Sequence, residues 1–259
     1  MLITKKIEMP FYEIVYAPSK KMTSKKTNET IGQSAEAAIC ELYQLECAIS
    51  PERLDKVMIQ KIIPLLDKDI FPAPVSESIG YKNGTADFRL ADGTTLSLKT
   101  LKHSAGKVCP QLGQPTLKSW DRRWKQPWQG ELSHNPDRWQ FIKDNIHNYL
   151  NCMLDGIFCC HHLMLISNCI SEPQISVFNS ESLQHIKLYF TNQDIIYSRP
   201  DYEERWNEKK KKYSEASCTI YLSETIKIGE FQFHKSSRQE LKFRFFDSFL
   251  SYICSNNLS

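Results

Sequence analysis

Residues 85–100, TADFRLADGTTLSLKT, alternate apolar and polar side chains on both sides of an Ala91-Asp92-Gly93 turn, and this pattern predicts a β-hairpin. Ala86, Phe88 and Leu90 share one face of the first strand, and Thr85, Asp87 and Arg89 share the other. On the second strand Leu96 and Leu98 continue the apolar face, opposite Ser97 and Lys99. A loop running from Ala91 to Gly93 is a type I turn closed by a glycine in the left-handed conformation, which only glycine adopts freely. Leu90 then faces Thr94, Phe88 faces Leu96 and Asp87 faces Ser97. Lys99 lies one diagonal step from Asp87 on the same face. A two-residue Asp-Gly turn would instead set Asp87 against Leu98 and scatter the polar set. The longer loop is the one in which every side chain agrees.

Two flanking segments bear on this pair. Residues 30–47, TIGQSAEAAICELYQLEC, read as an amphipathic helix with Ile31, Ala35, Ala38, Leu42 and Leu45 on its apolar stripe. Glu36 sits on the shoulder of that stripe, and Gly32-Gln33 ahead of small residues would let the helix approach closely. Beyond the hairpin, residues 100–128 are dense in Lys, Arg, Gln, His, Ser, Thr and Trp. Gly106, Pro110, Gly113 and Pro115 exclude a regular element through much of that stretch. Lysine and arginine there would contact phosphates, and glutamine and arginine can read base edges with two hydrogen bonds. The candidates for DNA contact are Lys102, His103 and Lys107, then Gln111, Gln114 and Lys118, then Arg122 and Arg123. A polar surface loop is the plain alternative.

The combination of Asp87, Ser97 and Lys99 resembles the PD-(D/E)XK nuclease motif, in which an aspartate opens a hairpin and acid-any-lysine follows on the next strand. The lysine that leads into Pro110-Gln111-Leu112-Gly113-Gln114-Pro115 is similar to type II restriction endonucleases. Two positions depart from the pattern: Thr85-Ala86 replaces the proline before the aspartate, and Ser97 stands at the acidic position. One carboxylate is a thin ligand set for a hard cation that prefers oxygen. The resemblance implies that a helix ahead of the hairpin supplies a glutamate, a role Glu36 fits; an ordinary helix-surface glutamate is the alternative. It further implies Mg²⁺ held by Asp87, Glu36 and the Leu98 carbonyl, with Lys99 at the attacking water and Ser97 beside it. Double-stranded DNA as substrate and a homodimer matched to a palindromic site follow by the same resemblance. A nicking or repair nuclease of the same fold is the enzymatic alternative. A DNA-binding protein that has lost its acid is the non-enzymatic one.

With 259 residues the chain can bury a substantial core, and 41% hydrophobic with 24% charged residues is a globular composition. A net charge of +3 supplies no polybasic tail, so nucleic-acid affinity must come from a local patch. Residues 1–16 carry no signal-peptide pattern and no apolar run reaches membrane-spanning length, so a bacterial cytoplasmic protein is expected. Nine scattered cysteines without a secretion signal are read as reduced thiols. Cys159-Cys160-His161-His162 lacks the paired knuckle of a structural zinc site.

The remaining segments give architecture. Ser50-Pro51-Glu52 opens a second helix through Leu65, and Asn135-Pro136-Asp137 opens a third that stops at Gly156. Residues 157–166 read as a buried strand, and Ile175-Val177 and Ile186-Leu188-Phe190 as short ones. Residues 200–213, with four lysines in a row, read as a solvated helix or a DNA-backbone contact. Residues 219–222 and 226–234 form a hairpin. Near the C-terminus Phe231, Phe233, Phe243 and Phe245 point one way. Gln232, His234, Lys242 and Arg244 point the other, with Arg238 between, either lining a DNA cleft or facing solvent. The expected fold is one α+β domain over residues 1–259, a central mixed sheet flanked by helices with a restriction-endonuclease-like core. That core would occupy about residues 28–125, and the C-terminal part would complete the sheet and the cleft.

Overall fold

Helix α1, Asn28–Tyr43, opens with the Thr27 hydroxyl accepting the Thr30 N–H at 3.1 Å. Its apolar stripe is buried from Ile31 to Cys40. The helix stops four residues short of the sequence expectation. Gln44 turns left-handed at φ 56°, and the Gln44 and Leu45 N–H groups return to Glu41 and Cys40 carbonyls. This computed structural model describes residues 27–80, 86–104, 106–110, 135–180, 194–209, 211–215, 217–233 and 241–255.

The helix expected from Pro51 is broken in two. Pro51–Arg53 is a single 3₁₀ turn, and α2, Lys56–Ile62, starts afresh at Asp55, whose carboxylate accepts the Val57 and Met58 N–H groups. The Asp55 N–H in turn donates to Ser34 on α1 at 2.8 Å, which ties the two helices together.

Strands β1 (Val75–Ser78), β2 (Phe88–Leu90) and β3 (Thr95–Thr100) follow. The β2–β3 register sets Phe88 against Leu96, and the Leu90 carbonyl accepts the Gly93 N–H with Gly93 at φ 85°. The three-residue loop is thus the one the side-chain alternation requires. After the short β4 (Lys107–Val108) come α3 (Asn135–Asp144) and α4 (Ile146–Ile157). They were expected as one helix ending at Gly156. Instead Asn145 leaves helical geometry and its side-chain amide donates to the Phe141 carbonyl, while Gly156 lies inside α4.

Strand β5, His162–Ser167, starts later than the expected 157 and pairs parallel to β3, Ser97 beside Leu163 and Lys99 beside Leu165. With antiparallel β6 (Gln174–Asn179) it completes a mixed sheet of order β1-β2-β3-β5-β6. This sheet therefore draws two strands from beyond residue 125. A second, antiparallel sheet has the order β4-β12-β11-β10-β7. It is built from β7 (Ile196–Tyr197), β10 (Cys218–Tyr221), β11 (Lys227–Phe233) and β12 (Leu241–Phe246) with β4. The C-terminal strands thus pair with β4 and among themselves, not with the hairpin. Helix α5, Asp247–Ser255, follows β12.

The charged stretch expected as a helix is a separate hairpin, β8 (Glu204–Asn207) with β9 (Lys212–Glu215), turned at Lys211 with φ 51°. The strand expected at Ile186-Leu188-Phe190 lies outside the described residues.

Among the described residues the buried side chains gather in two cores. One face of the first sheet (Phe88, Leu90, Leu96, Leu98, Met164 and Ile166) packs on α1 and α2. From its other face Leu163, Leu165 and Phe178 join α3, α4, α5 and the second sheet around Trp139, Tyr149 and the phenylalanines 231, 233, 243 and 245. That phenylalanine face agrees with the sequence alternation. Gly229 sits where a Cβ would lie 2.6 Å from the Arg244 carbonyl oxygen and 2.5 Å from the Phe243 ring, so only glycine fits. Among the described residues no helix is long and apolar enough to cross a membrane.

Candidate active site

The register places Asp87 opposite Ser97, just before β2 begins. Asp87 is fixed there by backbone bonds on both sides: its N–H donates to the Leu96 carbonyl at 3.0 Å, and its carbonyl accepts the Ile79 N–H at 2.9 Å. Its Oδ2 accepts the Leu98 N–H and the Ser97 hydroxyl, the latter at 3.2 Å. Lys99 Nζ donates to the same Ser97 oxygen at 3.1 Å. Ser97 is 1% exposed, so its hydroxyl is a buried relay between the ammonium and the carboxylate. Gly80 lies against Asp87 from the β1 side; a Cβ there would stand 3.3 Å from Oδ1.

Glu36, on α1, lies within electrostatic range of Asp87 and Lys99. It is half-buried between buried neighbours. Burial pushes its carboxyl up to about 7, the Asp87 charge adds to the rise, and Lys99 opposes it. Gly32 faces Thr100 on β3, where a Cβ would stand 3.5 Å from Oγ1, an ordinary van der Waals contact that does not call for glycine. Glu36, Asp87, Ser97 and Lys99 are therefore one electrostatic unit.

A cleft of about 420 Å³ opens beside it, lined by Lys99, Lys102, His103, Lys107 and Arg244, with Asn28 from the start of α1. Lys107 and Arg244 share one acid, Glu230, at 2.7 and 3.4 Å, and Gln232 donates to it at 2.9 Å. Glu230 is opposite Arg244, and Gln232 is opposite Lys242 on the same face. Sequence reasoning passed over Glu230, although the alternation that placed Gln232 on this face also places Glu230 there. Gln111, Gln114, Lys118, Arg122, Arg123, His234 and Arg238 lie outside the described residues.

The donor set can be tested against a hard cation. Among the described residues no three His, Cys, Asp or Glu side chains group as metal ligands. Two carboxylates do sense each other: Glu36 is held up mainly by burial and partly by the Asp87 charge, a repulsion that a cation near both would relieve. The N–H and carbonyl of a strand residue face the same neighbour, so the Leu98 oxygen opens toward the Asp87 side as its N–H does. Two acids and a carbonyl fit Mg²⁺, which keeps several waters and binds through few protein ligands. No protein-family model matches this chain, and no curated protein is significantly similar to it.

Proposed function

We propose that the chain is a Mg²⁺-dependent DNA endonuclease of the PD-(D/E)XK kind, most concretely a type II restriction endonuclease. The observation that carries this reading is the convergence of Asp87 and Lys99 on the buried Ser97 hydroxyl, with Glu36 close enough for its charge to couple to both. The order of elements also supports it: a helix bearing Glu36, then the hairpin in the middle of a mixed sheet flanked by helices.

Asp87, Glu36 and the Leu98 carbonyl would hold the cation. When bound, Mg²⁺ would act as a Lewis acid toward the phosphate oxygens. Asp87 keeps its orientation through the Leu98 and Ser97 donors, and Lys99, anchored on Ser97, orients the attacking water. Lys102, His103, Lys107 and Arg244 hold the backbone of a duplex in the adjoining cleft. Cutting both strands calls for two such sites, which a homodimer supplies.

One observation favours a second reading. The Ser97 oxygen is already engaged by Asp87 and Lys99, so it adds no charge where the motif has an acid. If the Glu36 charge does not serve in its place, the protein binds DNA without cutting it. Supercoiled plasmid titrated with Mg²⁺ separates the possibilities. Discrete fragments are expected. Open circles would indicate a nicking enzyme, and a gel shift without cleavage a binding protein.

A further inference from the structure

The bend between the end of α4 at Ile157 and the start of β5 at His162 holds two adjacent cysteines, Cys159 and Cys160. Their sulfurs are 3.8 Å apart. The two differ in surroundings: Cys159 is exposed, and Cys160 is 5% exposed. The bend leads directly into β5, whose Leu163 lies beside Ser97, and the charges of Lys99 and Asp87 both reach Cys159.

We propose that Cys159 and Cys160 form a peroxide-reactive dithiol, in which Cys159 is the attacking sulfur and Cys160 the resolving one. The chemistry follows from the unequal pair. The bond to Cys160 and the nearby Lys99 ammonium bring the Cys159 thiol down to about 7, so that about half of it is thiolate at neutral pH. Its hydrogen bond to Cys159 and its burial push the Cys160 thiol strongly up, so it keeps its proton. In the first step the Cys159 thiolate attacks one oxygen of a hydroperoxide. The O–O bond breaks, an S–O bond forms, and the departing oxygen takes a proton to leave as water or an alcohol. In the second step the Cys160 sulfur displaces that oxygen from Cys159. An S–S bond forms, and the oxygen leaves as water with the Cys160 proton. The sulfur pair has then lost two electrons, and the peroxide bond has gained them.

The rate can be bounded. Against an ordinary thiol the thiolate fraction at neutral pH is roughly fifteenfold higher, and lower basicity takes back about fivefold, leaving about threefold. Three other described cysteines, Cys47, Cys109 and Cys152, are half-buried, and the last two serve as internal comparators. The test uses the full chain with one equivalent of hydrogen peroxide, dimedone as a trap for sulfenic acid, and peptide mass spectrometry. The peptide carrying Cys159 and Cys160 is expected to lose two hydrogens at least about threefold faster than Cys109 or Cys152 react. It should gain no dimedone, and dithiothreitol should restore it. In Cys160→Ser dimedone should label Cys159, and Cys159→Ser should leave Cys160 reduced. Dimedone on Cys159 of the wild type would overturn the proposal, because it would mean that Cys160 does not resolve. Oxidation of Cys109 or Cys152 ahead of the pair would also overturn it. Neither outcome bears on the nuclease reading, which uses neither sulfur.

Discussion

Glu36 is the residue whose titration reports most on the site. Its carboxyl is raised from 4.5 to about 7, so the stabilisation of the folded state is complete below about 4.5 and is lost as pH rises through about 7. Glu36→Gln removes that loss. Without divalent cation at pH 8 the variant should be more stable than wild type by about 1–2 kcal/mol, allowing for partial exposure, and the gap should close near pH 4.5. Denaturant melts at the two pH values check this. Mg²⁺ should stabilise wild type increasingly above pH 7 and stabilise the variant less; equal responses would remove Glu36 from the ligand set. Ser97 calls for a second test. A hydroxyl is a weak metal ligand, but here it joins Lys99 to Asp87. Ser97→Ala should therefore lower the single-turnover cleavage rate roughly 10- to 100-fold while duplex binding in Ca²⁺ stays unchanged. At this scale the sequence was informative. Gly93 encodes the loop length, and the loop length decides which side chains meet. Helical period alone put Glu36 on the shoulder of α1. What the sequence could not convey is that Ser97 would be buried between two half-buried partners, because that depends on the parallel pairing of β3 with the distant β5.

Among elements, β4 and β12 supply the second-sheet side of the cleft through Lys107, Val108 and Arg244, and Glu230 on β11 tempers its charge. One carboxylate between Lys107 and Arg244 offsets part of the positive field available to a phosphate. Glu230→Gln should tighten duplex binding severalfold at low salt and steepen the salt dependence by about one unit of slope. The fold should lose about 1–3 kcal/mol, since the two cations lose the buried negative charge they share. Binding titrations at two salt concentrations test it; weaker binding would mean that Glu230 is needed to hold the cations in position. Element boundaries were the least legible part of the sequence. The end of α1 rests on a left-handed Gln44, a residue that does not announce a helix stop as glycine does. The break at Asn145 depends on its own side chain bonding the preceding turn. The β8–β9 hairpin hides in a lysine-rich stretch, and its turn uses Lys211 at positive φ, where sequence rules expect glycine or asparagine.

For the whole molecule, the expectation of an α+β fold with a mixed sheet holds, but among the described residues that sheet is one of two five-stranded sheets, with the β8–β9 hairpin apart from both. The hairpin was legible because its pairing is local. The parallel pairing of β3 with β5 and the pairing of β4 with β12 join residues far apart in the chain, and no short-range pattern encodes them. The consequence for function is that Lys99 and Arg244, from different sheets, line one cleft. In the proposed nuclease Asp87 is the chemical centre of that arrangement. Asp87→Ala would strip the acceptor from the buried Ser97 hydroxyl and from the Leu98 N–H, mixing a folding defect with a catalytic one. Asp87→Asn keeps an oxygen for those donors and removes only the charge. The decisive measurement is the single-turnover cleavage of plasmid DNA in Mg²⁺ by wild type and Asp87→Asn, with duplex affinity in Ca²⁺ and thermal stability measured alongside. Wild type should cut, and the variant should still fold and bind but cut at a rate lower by roughly a hundredfold or more. Cleavage by Asp87→Asn at the wild-type rate would contradict that role of Asp87.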